Sequence, residues 1–375
     1  MANKFERFTS LDVFRGLTIC FMIIVNSPGS GAGVYVPLDH AQWFGFTPTD
    51  LVFPSFLFAV GNALSFSGKK YQKDGAFLKK VFKRTIIIFL LGYLMYWFPF
   101  FHRTVGGWAF NDLAHTRIMG VLQRIALCYC IGAILTHYLS IKQVVIVSVC
   151  ILFAYWGVLY LFGESGQELT MSGNAGTRID VFVMGNEHLY HDKGGLIAFD
   201  PEGLFSTLPA IVNVTSGFVA GIFIQKKGKN YEMISKLFMA GVLLILVALF
   251  LGQFFPFAKK LWTSSFVMLT VGIDLVLIGL SVYVIEIKNW KRGVHFFLVF
   301  GKNPLAIYLL SELLLTVLQL IQLPSGINIY KEVNDVFFQP LFPGPFGTLV
   351  FAICYMLLCW LVGFWLEKRK IYIKI

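Results

Sequence analysis

The residues best suited to chemistry lie in one short loop. Ser27 to Phe46 holds no Lys or Arg, and at its centre stands His40, in Asp39-His40-Ala41-Gln42-Trp43. An imidazole takes up and returns protons near neutral pH. Asn26, just before the loop, offers an amide N–H, and Asp50, just after it, a carboxylate. Asp50 has two readings. Thr47-Pro48-Thr49-Asp50 is helix-start grammar, with a cap, a proline at the first helical position and an acid at the third. The same carboxylate could fix the tautomer of a nearby imidazole. His102, His115, His188 and His191 also fall in loops and compete with His40. Trp43, Phe44 and Phe46 set His40 apart, because their apolar bulk suits a loop dipping into a bilayer edge.

Further polar groups lie inside apolar stretches, where an unpaired charge costs several kcal/mol. Arg15, Arg124, Asp274 and Glu312 are the deepest. Asp12 and Arg15, three apart, share a helix face and form an expected ion pair. Arg117 and Arg124 are seven apart and so are expected to stack on one helix face with Gln123 beside the second, which suits an anion. Arg124 lies roughly 10 Å into its stretch, and a structural pair with Asp274 or Glu312 explains it equally well. Gly301-Lys302-Asn303-Pro304 interrupts another stretch. Either the helix breaks there and lines a cavity, or it starts at Asn303 with Pro304 in its first turn.

The elements that carry these groups follow from composition. With 57% hydrophobic residues, 14% charged and a mean hydropathy of +0.72, the 375-residue chain cannot be an ordinary soluble domain. About ten stretches approach the ~20 residues that cross a bilayer, near 9–27, 48–67, 81–100, 117–138, 143–162, 204–225, 234–255, 263–286, 296–322 and 346–366. The expected fold is all-α and polytopic, a single transmembrane unit over 1–375 without internal repeats. The net charge of +11 is placed for a membrane rather than for nucleic acid. Lys69, Lys70, Lys73, Lys79, Lys80, Lys83 and Arg84 crowd one connection; Lys226, Lys227 and Lys229, then Lys288, Lys291 and Arg292, occupy two more, and Lys368, Arg369, Lys370 and Lys374 the tail. These are alternate connections, so both termini are expected in the cytoplasm and the His40 loop outside. Arg15 interrupts the first apolar run, which reads as a retained anchor rather than a cleaved signal. All six cysteines fall in apolar stretches, so neither a disulfide framework nor a metal site is expected. The polar segment Gly163 to Gly203 could be a lid over the site or a plain loop.

Longer motifs carry a resemblance. They are Arg7-Phe8-Thr9-Ser10-Leu11-Asp12-Val13-Phe14-Arg15-Gly16, Val25-Asn26, His40-Ala41-Gln42-Trp43-Phe44-Gly45-Phe46-Thr47, Asp50-Leu51-Val52-Phe53-Pro54 and Arg117 to Ala126. Asp200-Pro201-Glu202-Gly203-Leu204, Ser206 to Ala210, Lys260-Leu261-Trp262-Thr263-Ser264-Ser265-Phe266, Gly301 to Leu305 and the Lys368 to Ile375 tail continue the series. The chain resembles the heparan-alpha-glucosaminide N-acetyltransferase family, as a bacterial-type member without the extra luminal N-terminal region.

That resemblance implies acetyl transfer from cytoplasmic acetyl-CoA to an amino sugar across the membrane, with His40 at the active site. His40 would be base or acetyl carrier, Asn26 an oxyanion donor and Asp50 the residue that orients the imidazole. Arg15, Arg124, Lys302 and Asn303 are the expected contacts for acetyl-CoA, and Asp200, Glu202 and Trp43 those for the acceptor. Membrane lipid and a second copy of the chain are further expected partners, and a bacterial inner membrane the expected location. The rival reading is a secondary transporter of an amino sugar or organic anion, using the interrupted helix and the buried charges without chemistry.

Overall fold

A computed structural model of the chain describes residues 8–29, 32–67, 74–104, 107–191 and 198–373. Arg7, Lys69, Lys70, Lys73 and Lys374 lie outside the described residues.

The protein is an all-α, multi-pass membrane protein. Its long helices are α1 (Thr9–Asn26), α2 (Pro48–Ser67), α3 (Asp74–Trp97), α4 (Val121–Tyr138) and α5 (Ile141–Phe162). A short helix, α6 (Ala175–Met184), follows, and then α7 (Thr207–Lys227), α8 (Tyr231–Leu251), α9 (Ser264–Val282), α10 (Val294–Lys302), α11 (Pro304–Leu320) and α12 (Pro345–Lys368). Among the described residues eight helices are long and apolar enough to cross a membrane, and α10 with α11 could make a ninth. The remaining expected span corresponds to α3. It has 24 residues but keeps Lys80, Lys83 and Arg84 within its last eighteen.

The interrupted stretch combines both sequence readings. α11 starts with Pro304 at its first position after Asn303, and α10 runs into that junction at 83°. A proline lacks the N–H that would continue α10. Asn303 secures the corner, donating from Nδ2 to the Ile371 carbonyl at 3.0 Å and accepting from the Ile373 N–H at 2.9 Å. Lys302 is paired with Glu367 on α12.

Glycines at helix crossings bring backbones into contact. A Cβ on Gly61 of α2 would lie 1.7 Å from the Val214 carbonyl oxygen, and one on Gly217 of α7 1.9 Å from that of Phe58. α1 meets α10 in the same way, with Gly16 against Phe297 and Gly301 against Asp12. Small residues at helix contacts are the usual means of close approach where lipid supplies no hydrophobic drive. α1, α2, α7 and α9 form the centre, around fully buried Phe14, Phe58, Phe266 and Phe300. α5 and α8 expose Phe153, Leu161, Leu243 and Phe250, an apolar surface that belongs in lipid.

The span expected from residue 117 begins only at Val121. Gly120 is extended there, packed where any Cβ would strike the Tyr96 ring at 2.2 Å. Arg117 therefore precedes α4 and does not stack above Arg124. A hairpin pairing Phe101–Thr104 with Gly107–Phe110 occupies the preceding loop. The segment 163–203 carries α6 and packs onto the body through Phe199 and Leu169.

Candidate active site

His40 and Asp50 come together because the helix-start grammar folds the loop back on itself. Asp50 accepts from the Thr47 backbone N–H at 3.0 Å and from the Thr47 hydroxyl at 3.1 Å. Those bonds cap α2 from its third position. The same carboxylate accepts from the Ala41 N–H at 3.2 Å and lies 2.7 Å from His40 Nδ1. The Thr47 hydroxyl also donates to the Asp39 carbonyl at 2.7 Å, closing the loop around His40. Both readings of Asp50 therefore hold at once. Its side chain is fully buried while that of His40 is 41% exposed, so the imidazole faces outward from a fixed carboxylate. With the carboxylate as acceptor, Nδ1 is the donor of this 2.7 Å contact and Nε2 is the acceptor nitrogen of the ring.

The third member of the site has no counterpart in the sequence reading. Lys259 Nζ lies 3.1 Å from Nδ1 and 3.2 Å from Nε2 of His40, and 3.9 Å from Asp50. Its turn is tightly built: Thr263 Oγ1 accepts from the Ala258 N–H and donates to the Pro256 carbonyl, and the Trp262 N–H bonds the Lys259 carbonyl at 3.0 Å. Trp262 holds a left-handed backbone, φ 55°, which costs a non-glycine residue about 1–3 kcal/mol unless its surroundings fix it. They do. The indole is 1% exposed, donates to Asn213 Oδ1 at 3.1 Å and meets Phe53 and Phe266 edge-on. The Gly45 N–H bonds the Phe257 carbonyl at 2.8 Å, which ties this turn to the His40 loop. Burial pushes the Lys259 ammonium below the ordinary lysine value, with Asp50 and Glu202 pulling it back.

Arg117 bonds Asp200 through Nε at 2.8 Å and Nη2 at 2.5 Å, and Glu202 at 2.6 Å, while Tyr96 and Tyr190 flank its guanidinium. Burial opposes ionisation of Glu202, but Arg117 and Arg124 outweigh it and hold that carboxyl below its ordinary value. Arg124 is fully buried over the Trp262 ring, 4.7 Å from its centroid. It bonds the Gly203 carbonyl at 3.2 Å and the Ser206 hydroxyl, rather than Asp274, which accepts from Ser55, or Glu312, which accepts from Asn26 at 3.3 Å. Trp43 donates to the Leu169 carbonyl at 2.8 Å and packs against Phe199, so the 163–203 segment lies on the His40 loop.

Arg15 sits at the far end of α1, bonded to Asp12 at 3.0 Å and to the Gly301 carbonyl. The expected ion pair and the α1–α10 contact thus share one guanidinium. A chamber of about 240 Å³ opens beside it, between α1 and α2. A larger cavity, about 690 Å³, lies elsewhere, lined mainly by apolar side chains such as Val149, Leu152, Phe223, Leu244 and Val271. Lys236 and a few hydroxyls, among them Ser148 and Thr215, are the polar side chains in that mainly apolar lining. Among the described residues no cluster of three His, Cys, Asp or Glu could hold a metal ion.

His40, Asp50 and Lys259 offer a fixed base and a cation beside one face of an exposed ring. Comparison with known proteins gives the chain as a whole a chemical class. A family model described as an acyltransferase domain matches residues 8–368. The chain is 25% identical over 361 residues to human (Homo sapiens) heparan-alpha-glucosaminide N-acetyltransferase and 26% identical over 365 residues to that of mouse (Mus musculus). Each match covers 82% of this chain and 53% or 54% of the relative, so the chain spans about half the length of these curated relatives. From residue 8 to residue 368, then, this membrane protein belongs to the acyltransferase-domain family.

Proposed function

We propose that the chain transfers an acetyl group from acetyl-CoA, reached from the cytoplasm, to the amine of a glucosamine-type sugar on the opposite face of the membrane. The contact between His40 Nδ1 and buried Asp50 carries this reading, because it makes Nε2, beside Lys259, the ring nitrogen that can act as base. The amine attacks the thioester carbonyl, Nε2 accepts the amine proton, and the proton then passes to the departing thiolate of CoA. Asp50 compensates the charge that forms on the ring. Lys259, 3.2 Å from Nε2, is the cation that stabilises the charge developing on the carbonyl oxygen, with Asn26 as the second donor. In the covalent variant Nε2 itself attacks, thiolate leaves, and the amine takes the acetyl group from the ring.

Basic residues in alternate connections support cytoplasmic termini, with both ends of the chain on the donor side of a bacterial inner membrane. Arg15, at the donor-side end of α1, is the phosphate contact, and Arg124 the deeper positive group towards the thioester. Lys302 and Asn303 act beside it by holding the α10–α11 corner and the tail. Asp200 and Glu202, gathered by Arg117, set the charge on the acceptor side, and Trp43 is the aromatic contact beneath the 163–203 lid. The 83° corner favours a transporter only if its polar groups face a pathway. Asn303 and Lys302 instead bond the tail and Glu367.

Proteoliposomes separate the two readings. With radiolabelled acetyl-CoA on one side and glucosamine on the other, N-acetylglucosamine formed on the glucosamine side supports the transferase. Movement of unmodified glucosamine without product supports the transporter.

A further inference from the structure

Asn62 is a buried polar residue that the proposed reaction does not use. It lies on α2, is 3% exposed, and neither its Nδ2 nor its Oδ1 has a hydrogen-bond partner. An unpaired buried amide costs about 1–3 kcal/mol, and a leucine would occupy similar space without that cost. The amide lines the 240 Å³ chamber together with Arg15 and Asp12, and Phe8, Leu11, Ala59, Ala63 and Phe66 complete the walls. Ser65 and Gln225 continue the polar seam, with Gln225 Nε2 donating to Ser65 Oγ at 2.6 Å and Ser65 Oγ to the Asn62 carbonyl at 2.7 Å.

We infer that this chamber seats the adenine end of the acyl-CoA donor, with Asn62 pairing the edge of the base and Arg15 meeting a phosphate. The inference rests on the acyl-CoA reading above. An asparagine amide presents one donor and one acceptor side by side, the complement of the N6 amino group and N7 of adenine. Phe8 and Phe66 supply aromatic walls for a flat base, and stacking on aromatic side chains is a general mode of base binding. A guanidinium beside them is suited to phosphate. The chamber is smaller than the ~300–1,000 Å³ of whole-ligand pockets, which fits one end of a long molecule rather than all of it.

Distance supports the same assignment. Asn62 and Asp50 are twelve residues apart on one helix, ~18 Å along its axis. That is the order of separation a pantetheine diphosphate arm bridges, so a base at Asn62 brings its thioester to the Asp50-bound His40. The arm lies along α1 and α2, and the charged nucleotide stays at the end of the spans where Asp12 and Arg15 are partly exposed.

The test is CoA binding to the purified protein in nanodiscs by calorimetry, with CoA and its hypoxanthine analogue, in which an oxygen replaces the N6 amino group. Wild type is expected to bind CoA at least about 5-fold more tightly than the analogue, and Asn62→Leu to lose that discrimination and at least about 5-fold of CoA affinity. The exposed Ala63→Trp, which narrows the chamber without entering the helix core, is expected to weaken CoA by a similar factor. Equal CoA binding by wild type and both chamber variants, all with cooperative melts, overturns this inference and leaves the acyl-CoA reading standing. Folded wild type that binds no CoA overturns both.

Discussion

Lys259 Nζ lies almost equidistant from the two ring nitrogens of His40, 3.1 Å from Nδ1 and 3.2 Å from Nε2, although 219 residues separate them. Since Nδ1 is committed to Asp50, the lysine proton competes only for Nε2, the atom that must meet the reactant. Lys259→Met frees that nitrogen but removes the cation beside the carbonyl oxygen. We expect kcat to fall ~10²–10³-fold, the scale for loss of one oxyanion donor, with the KM for acetyl-CoA little changed. Steady-state kinetics on the variant check this split.

Lys259 also makes stability depend on pH. Burial lowers its folded-state value below that of the unfolded chain, so the unfolded chain binds the extra proton between the two. Stability therefore rises with pH through the window from the depressed value up to the ordinary lysine value and is lost as pH falls through it. Thermal melts of wild type across alkaline pH should show this rise, and Lys259→Met should not.

Asp180 has the opposite sign. Burial raises its carboxyl to about 6, even though it accepts the Phe205 N–H at 3.0 Å. The folded protein holds the proton that the unfolded chain releases, so stability increases as pH falls from about 6 towards 4. The change is on the order of 2–3 kcal/mol. Asp180→Asn should keep the acceptor and flatten that part of the pH–stability curve, as melts at fixed ionic strength would show.

Arg117 gathers Asp200 and Glu202, so its loss strands two buried carboxylates. Arg117→Leu is expected to cost about 3–5 kcal/mol. The combined Arg117→Leu, Asp200→Asn, Glu202→Gln variant should recover much of it. Thermal unfolding of the Arg117→Leu, the Asp200→Asn/Glu202→Gln and the triple variants in one detergent separates this from simple loss of packing.

The α2–α7 crossing leaves no room at Gly217, where a Cβ would lie 1.9 Å from a backbone oxygen. Gly217→Ala should force the two helices apart, costing about 1–3 kcal/mol, and shift Asp50 with α2. Lower melting temperature together with reduced kcat is the expected result.

What the sequence revealed followed its range of interaction. The spans were legible because each is a local run of apolar residues, and Asp50 because cap grammar acts over four residues. The contact between Asp50 and His40 followed from a ten-residue loop. Lys259 was not legible: its approach to His40 depends on a turn fixed by Trp262, Thr263 and the Gly45–Phe257 bond, none of which has a periodic signature. The clue was two lysines in the otherwise uncharged loop between α8 and α9, immediately before Leu261-Trp262-Thr263. Arg117 was placed on a helix because apolar periodicity runs through it, whereas the packing of Gly120 against Tyr96 decides where α4 begins. The angle at Pro304 likewise depends on contacts with α1 and the tail.

The most direct test of the account is acetyl transfer from radiolabelled acetyl-CoA to glucosamine by purified protein in detergent, comparing wild type with His40→Ala at matched melting temperature. The account predicts N-acetylglucosamine from wild type and a loss of ~10²–10⁴-fold in the variant, the range for a positioned acid–base group. Transfer by His40→Ala at the wild-type rate would contradict it.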